Sequence, residues 1–349
     1  MKTFAGVNRA TDCKIWLTED EICSLQGLLQ EIAAQYDSVE SPEFLAEAAL
    51  YAAEMPRRVR AALYDFKLAE SPCGLLILSG WPVKETIGKT PEHWKARPER
   101  SPAFEEEALL VLLGSVLGEC IGWSTQQDGH IVHDILPIKG HEGEQLGSGS
   151  EQLLWWHCED AFHPFRGDYL GMLCLRNPDR VPTTFASIQD VRVDPKDLAL
   201  LFEAHYVLRP DESHLKKNKG DTDIDEVLGA SYKKIEQMNS TPDKIAVLYG
   251  DPRAPYIRID PYFMDPVTDH PRAQEALKNL IRAIEGRLRD IVLEAGDFCF
   301  IDNFQAVHGR KPFRARYDGN DRWLKRINIA RDLRKSRTSR RDPMSRIIL

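Results

Sequence analysis

The order of patterns along the chain predicts a mainly β fold with helical additions. Helical periodicity fills the first third, short β runs dominate after about residue 123, and no regular strand–helix alternation joins them. That order argues against a doubly wound sheet and for a β-sandwich or barrel buttressed by helices. The 349 residues, 42% hydrophobic and 29% charged, can bury a sizeable core in one elaborated domain.

The helical part opens with "TEDEICSLQGLLQEIAAQY", where Thr18 and Glu21 have capping-box spacing and Ile22, Leu25, Leu29 and Ile32 share a face. "SPEFLAEAALYAAEMP" follows, with Ser41 as N-cap, Pro42 in the first turn and Pro56 as the stop. "CGLLILSGWPV" reads as a buried strand, and "SPAFEEEALLVLLGSVLGECIGW" as a helix buried along its second half. The β region then offers "LGMLCLRN", "TTFASIQDVRV", "KIAVLYG", "YIRIDPYFM", "GDFCFIDNF" and "WLKRINIARDL". One helix interrupts it, "HPRAQEALKNLIRAIEGRLRDIVLE", with Ala273, Leu277, Leu280, Ile284, Leu288 and Ile291 on one stripe. Residues 208–227 form a long polar segment, either a solvated loop or a lid.

The formal charge of −8 argues against binding driven by phosphate neutralisation, so no nucleic-acid partner is expected. The basic run at 334–349, "RKSRTSRRDPMSRIIL", reads as a solvated tail. The opening "MKTFAGVNRATDCKIW" carries no apolar targeting core, and no apolar run is long enough to span a bilayer. Seven scattered cysteines without a C-x-x-C suggest neither a zinc ribbon nor a disulfide framework. A cytoplasmic protein with no membrane partner is the expectation. Cys174 and Cys299 read as core residues.

The chemistry concentrates in "LLWWHCEDAFHP" and "GDFCFIDNFQAVHGR". In a strand, His157 and Glu159 point to one face and Cys158 to the other. Two ligands do not hold a metal, and His308 can supply a third from a later strand, with Gly309 permitting a sharp turn beside it. Two histidines and one carboxylate form the facial triad of non-haem iron. Downstream, Arg322 and Arg326 share a strand face and suit bidentate carboxylate binding, one for 2-oxoglutarate and one for a substrate. No H-E-x-x-H or G-x-S-x-G supports a zinc or nucleophile hydrolase.

In order and spacing these residues resemble the Fe(II)/2-oxoglutarate-dependent oxygenases of the clavaminate synthase and taurine dioxygenase superfamily. The blocks "WHCEDAFHPFRGDYLGMLCLRNPDRVPTTFASI" and "HGRKPFRARYDGNDRWLKRINIARDLRKSR" are similar to its free amino-acid hydroxylases, and the likeness covers essentially the whole chain. The resemblance implies a distorted double-stranded β-helix (jelly-roll) forming a single domain over 1–349. Within it, 1–122 is a helical part, 123–333 the core with a lid at 208–227, and 334–349 a tail. It implies His157, Glu159 and His308 as iron ligands, Arg322 as the 2-oxoglutarate arginine, and Thr184 as its hydroxyl partner, with Thr183 the alternative. Arg326 would clamp the substrate α-carboxylate and Gln126 the amino group. Leu146, Ser148 and Glu159 would line the same end, and Asp260 would face the substrate side chain.

Iron and 2-oxoglutarate with dioxygen would then hydroxylate a free amino acid, with C3 favoured because the head group is anchored most firmly. The arginine hydroxylases carry a second acid where this chain has Tyr262. That departure leaves arginine, a cyclic guanidine (enduracididine, capreomycidine), lysine, citrulline and asparagine as substrates. Desaturation or cyclisation stays open, as does a non-enzymatic jelly-roll binding protein. The presence of Glu159 speaks against a halogenase. Oligomeric state is not legible.

Overall fold

A computed structural model describes residues 13–70 and 73–349. The opening residues read for a targeting segment therefore lie mostly outside it. The chain starts with β1 (Lys14–Trp16), α1 (Glu19–Gln35), α2 (Pro42–Glu54), α3 (Arg57–Ala69), β2 (Leu75–Ser79), α4 (Phe104–Leu117), β3 (Glu119–Trp123) and β4 (His133–Ile135). The capping box of α1 is formed, with Thr18 accepting from the Glu21 amide and Glu21 from the Thr18 amide. Ser41 caps α2 by accepting from the Phe44 amide.

At three boundaries the structure departs from the sequence reading or extends it. Pro56 stops α2 as read, but a helix the reading lacked, α3, follows at once, with Val59, Leu63 and Phe66 buried. The apolar run after residue 104 is not one helix: α4 stops at Leu117 and β3 begins at Glu119. Gly118 makes the break possible, since a Cβ there would stand 2.4 Å from the Ala330 carbonyl oxygen.

The middle of the chain supplies β5 (Leu154–His157), β6 (Tyr169–Arg176), β7 (Thr183–Ser187), α5 (Pro195–Leu201), β8 (Tyr206–Val207), α6 (Glu226–Ser240), β9 (Lys244–Ile245), β10 (Leu248–Asp251) and β11 (Ala254–Ile257). The last part adds α7 (Pro271–Glu285), β12 (Arg289–Ile291), β13 (Phe298–Asp302), β14 (Ala306–Arg310), β15 (Trp323–Ala330) and β16 (Ile347–Ile348). The third boundary lies here. The α7 stripe buries Ala273, Leu277, Leu280 and Ile284, but the helix ends at Gly286. Leu288 and Ile291 leave it, Ile291 joining β12 against β7.

Two sheets face one another. The larger runs β1-β2-β13-β6-β15-β3-β16, with β4 also on β15; the smaller runs β12-β7-β14-β5. Period-two alternation divides each strand between layers. On β6, Leu170, Met172 and Cys174 point between the sheets, whereas Tyr169, Leu173 and Leu175 join Phe298, Phe300, Ile327 and Ile329 under α1–α4. The outer face of the small sheet buries Cys158, Ala186 and Val307 against α5, α6 and α7. This is the mainly β, helix-buttressed architecture expected. No helix among the described residues is long and apolar enough to cross a membrane.

Two expectations fail. Cys13 and Cys73 form a disulfide. Parallel pairing of β1 with β2 brings their neighbourhoods together across a sequence separation of 60, which spacing could not reveal. The basic terminus is not a solvated tail either: β16 pairs in parallel with β3, and Ile348 is buried. Arg340, also buried, donates to the carbonyls of Leu333, Asp342, Pro343 and Ser345 and so folds the segment on itself. Replacing Arg340 by Ala should leave those carbonyls unpaired and release the terminus. Limited trypsin digestion is expected to remove the segment after Arg337 or Arg341 from R340A well before wild type; equal resistance would contradict this account.

Candidate metal centre

The centre is built by strand register. In the small sheet β14 runs antiparallel between β5 and β7, with His308 directly opposite His157. Their rings lie 4.7 Å apart between centroids. Glu159 sits just past the end of β5, where the Asn303 side chain accepts from its amide at 2.7 Å and donates to its carbonyl at 3.0 Å. This places Glu159 Oε2 at 3.6 Å from His157 Nε2 and 3.3 Å from His308 Nε2. One donor atom from each of the three lies within 4.8 Å of the others. Cys158 points away into the outer core, as the alternation required.

The donor set fits a divalent metal. His157 Nδ1 lies 2.7 Å from the Trp155 carbonyl. A carbonyl only accepts, so Nδ1 carries a proton and Nε2 is the nitrogen turned toward the cluster, available to a metal that displaces its proton. Burial lowers the His157 imidazole, but Glu159 and the charge of Asp260 outweigh it and carry the group up to about 9. Glu159 is buried, which raises its carboxyl; the Arg326 charge and both histidines prevail and hold it well below the usual range. It is therefore ionised, as a ligand must be.

Arg326 contacts Glu159 Oε1 and reaches His133 Nδ1 at 2.7 Å and Gln126 Oε1 at 3.4 Å. His133 Nε2 lies 2.9 Å from the His130 carbonyl and must donate there. Its Nδ1 is consequently an acceptor, fixing the guanidinium; burial and the Arg326 charge hold this imidazole far below its usual value. Gln126, Leu146, Ser148 and Arg326 line one recess, and Leu146 and Arg326 also line the cavity holding the triad.

Arg322 faces the same cavity, 6% exposed. Among the described residues its side chain makes a 3.4 Å contact to Thr183 Oγ1, its Nε lacks a partner, and burial pushes it down to about 10. A buried guanidinium so thinly paired fits a carboxylate ligand. Thr183, not the preferred Thr184, is its hydroxyl neighbour. Successive strand residues alternate, so Thr184 points toward Gly309 instead. Asp260 also lines the cavity. One of its oxygens accepts from the Tyr262 and Phe263 amides at 3.1 and 3.3 Å, and burial raises its carboxyl to about 6 despite His157.

A profile described as "Taurine catabolism dioxygenase TauD, TfdA family" matches residues 105–328. The chain is 45% identical to "Enduracididine beta-hydroxylase" of Streptomyces hygroscopicus, over 95% of this chain and 98% of that one. The chain belongs to the TauD/TfdA dioxygenase family. It is also 44% identical to "L-ornithine/L-arginine 3-hydroxylase" of Catenulispora acidiphila, over 96% and 99% of the two chains. The crystal structure of the non-heme iron oxygenase OrfP with Fe, succinate and (3S)-hydroxy-L-Arg superposes with a TM-score of 0.91 at 44% identity, covering 96% and 99%. Other OrfP structures hold Fe with alpha-ketoglutaric acid or L-Arg.

Several parts of this TauD/TfdA site escaped the sequence reading. The supposed lid is solvated only in part: residues 221–226 are exposed, but His214, fully buried, lies 3.0 Å from Asp160 Oδ1 and 2.8 Å from Thr125 Oγ1. Asp160, at φ 48°, also accepts from Trp123 at 2.7 Å and Asn328 at 3.1 Å. Asp211 from the same segment lines the cavity beside Asp260, so the cavity holds a second acid although Tyr262 is not one. Its position in a polar loop gave no signal.

Gly309 does not make the turn expected of it; it lies within β14. A Cβ there would meet the Leu154 carbonyl oxygen at 2.6 Å, Thr184 Oγ1 at 2.8 Å and the Trp156 amide nitrogen at 3.0 Å. G309A should push β5 from β14 and part the two histidines. Titration calorimetry of Fe(II) under anaerobic conditions is expected to show affinity reduced about tenfold or more. Unchanged affinity would mean the strand spacing is not what holds the triad.

Proposed function

We propose that this dioxygenase hydroxylates a free cationic L-amino acid, arginine or an arginine-derived cyclic guanidine such as enduracididine, at C3, acting in the cytoplasm. The observation that carries the reading is one cavity in which the His157–Glu159–His308 triad, the Arg326 guanidinium and two acids, Asp211 and Asp260, all appear. A head group with a carboxylate suits Arg326 and Gln126, and a guanidinium suits the two carboxylates through charge-assisted bonds. The relatives acting on enduracididine and on ornithine or arginine support this choice over lysine, citrulline or asparagine. The jelly-roll assignment of the two facing sheets belongs to the same reading.

His157, Glu159 and His308 would hold iron, which together with 2-oxoglutarate supplies the activation of dioxygen for oxidation of a C–H bond. The chain's own contribution is placement. Arg322 and Thr183 receive the distal carboxylate of 2-oxoglutarate, His133 steadies Arg326 for the substrate carboxylate, and Asp211 with Asp260 holds the far end. Anchoring at both ends fixes the near carbons most tightly, which favours C3. The segment carrying Asp211, Ser213 and His214 closes the site against water.

Succinate release measured across a panel of free amino acids tests the substrate. Arginine or a cyclic guanidine should couple best; coupling only with peptide- or carrier-bound residues would refute the reading. D260N and D211N should each raise KM for the guanidine substrate about 10–100-fold, the size of a lost hydrogen bond to a charged group. R322A should raise KM for 2-oxoglutarate far more than that for the amino acid, and R326A the reverse. Equal effects on both would remove the role assignment.

A further inference from the structure

Three guanidiniums line the cavity that holds the triad, and the roles above use two of them, Arg322 and Arg326. His308 and Arg310 are two apart on β14 and share a face, so Arg310 reaches the wall where Arg322 stands. Arg310 is 3% exposed. Its Nη1 donates to the carbonyls of Ser150 at 3.0 Å and Lys311 at 3.3 Å, and its Nη2 to that of Gln152 at 3.3 Å. The guanidinium stacks 5.1 Å from the Phe313 ring centre, and its Nε has no partner. No carboxylate pairs with Arg310 or Arg322 among the described ion pairs, and the charge that bears on Arg310 is that of Arg322.

Carbonyl oxygens satisfy donors without neutralising a charge. Two buried like charges in one cavity repel, and only an anion between or beside them makes the arrangement favourable. A neutral amide side chain could also donate to carbonyls of this loop. What a guanidinium adds is charge, directed at the part of the cavity that Arg322 shares.

We propose that Arg310 is a second cation of the 2-oxoglutarate subsite, acting with Arg322 to select a 2-oxo acid that carries a distal carboxylate. The three carbonyls of Ser150, Lys311 and Gln152 hold it in place, and its charge acts across the cavity on the carboxylate that Arg322 binds directly. This rests on the assignment of Arg322 to that carboxylate. It makes the preference for a dicarboxylate a property of two arginines.

The test is equilibrium binding to the full-length protein with Fe(II), without oxygen, by calorimetry. The probes are 2-oxoglutarate and 2-oxopentanoate, which has the same chain length but no distal carboxylate. R310Q should weaken 2-oxoglutarate about tenfold, a loss of about 1.4 kcal/mol, and leave 2-oxopentanoate nearly unchanged. R310K keeps the charge and loses the carbonyl fork, and should bind 2-oxoglutarate within about threefold of wild type. Equal weakening of both probes by R310Q, or loss in R310K as large as in R310Q, would show a structural role and overturn the proposal. If R310Q does not fold, R310K decides alone by the same threefold limit. R322A separates the two readings: wild-type binding of 2-oxoglutarate in R322A removes the underlying assignment, whereas a loss in R322A with none in R310Q removes only the role of Arg310.

Discussion

The register of β14 between β5 and β7 is the constraint on which the site depends. A shift of one residue would turn His308 to the outer core and bring Val307 or Gly309 to the cavity wall. Gly309 lets the strands approach closely enough for the two imidazoles to share a carboxylate. Asn303, in the connection between β13 and β14, holds the Glu159 backbone on both sides. The third ligand is thereby tied to the same strand pair that presents the other two.

Asp160 forms a second junction next to the first. Its two oxygens accept from Trp123 on β3, His214 in the closing segment, Gln126 and Asn328 on β15. The large sheet, the small-sheet edge and the cover over the cavity therefore meet at one buried carboxylate. Burial favours its neutral form, and only several donors at once keep such a group acceptable in the core. Its left-handed backbone turns the chain away from Glu159 immediately after the metal ligand. β16, paired to β3, braces this junction from outside.

Much of the fold could be read from local pattern. The caps at Thr18 and Ser41, the apolar stripe of α7 and the alternation along β6, β13 and β15 all depend on neighbours a few residues away. Errors cluster where tertiary packing overrides a continuous apolar or charged run. Gly118 divides α4 from β3 because β15 presses against it, and Ile291 leaves the helical stripe because β7 offers hydrogen bonds. The Cys13–Cys73 disulfide and the docked basic terminus likewise depend on partners far away in the chain.

The sequence by itself determined the chemical inventory: His157 and Glu159 on one face, His308 and two arginines later, and Cys158 turned aside. These follow from strand periodicity and from residue types with few other uses in such a combination. Only the tertiary structure decided which of two adjacent threonines meets Arg322, that Asp211 supplies the second acid, that His214 is buried against Asp160, and that Arg310 shares the cavity with Arg322. Those choices depend on distances between strands and loops that are remote in sequence. Local residue patterns carry no record of such distances, so the second acid and the second cation became visible only when the sheets closed on each other.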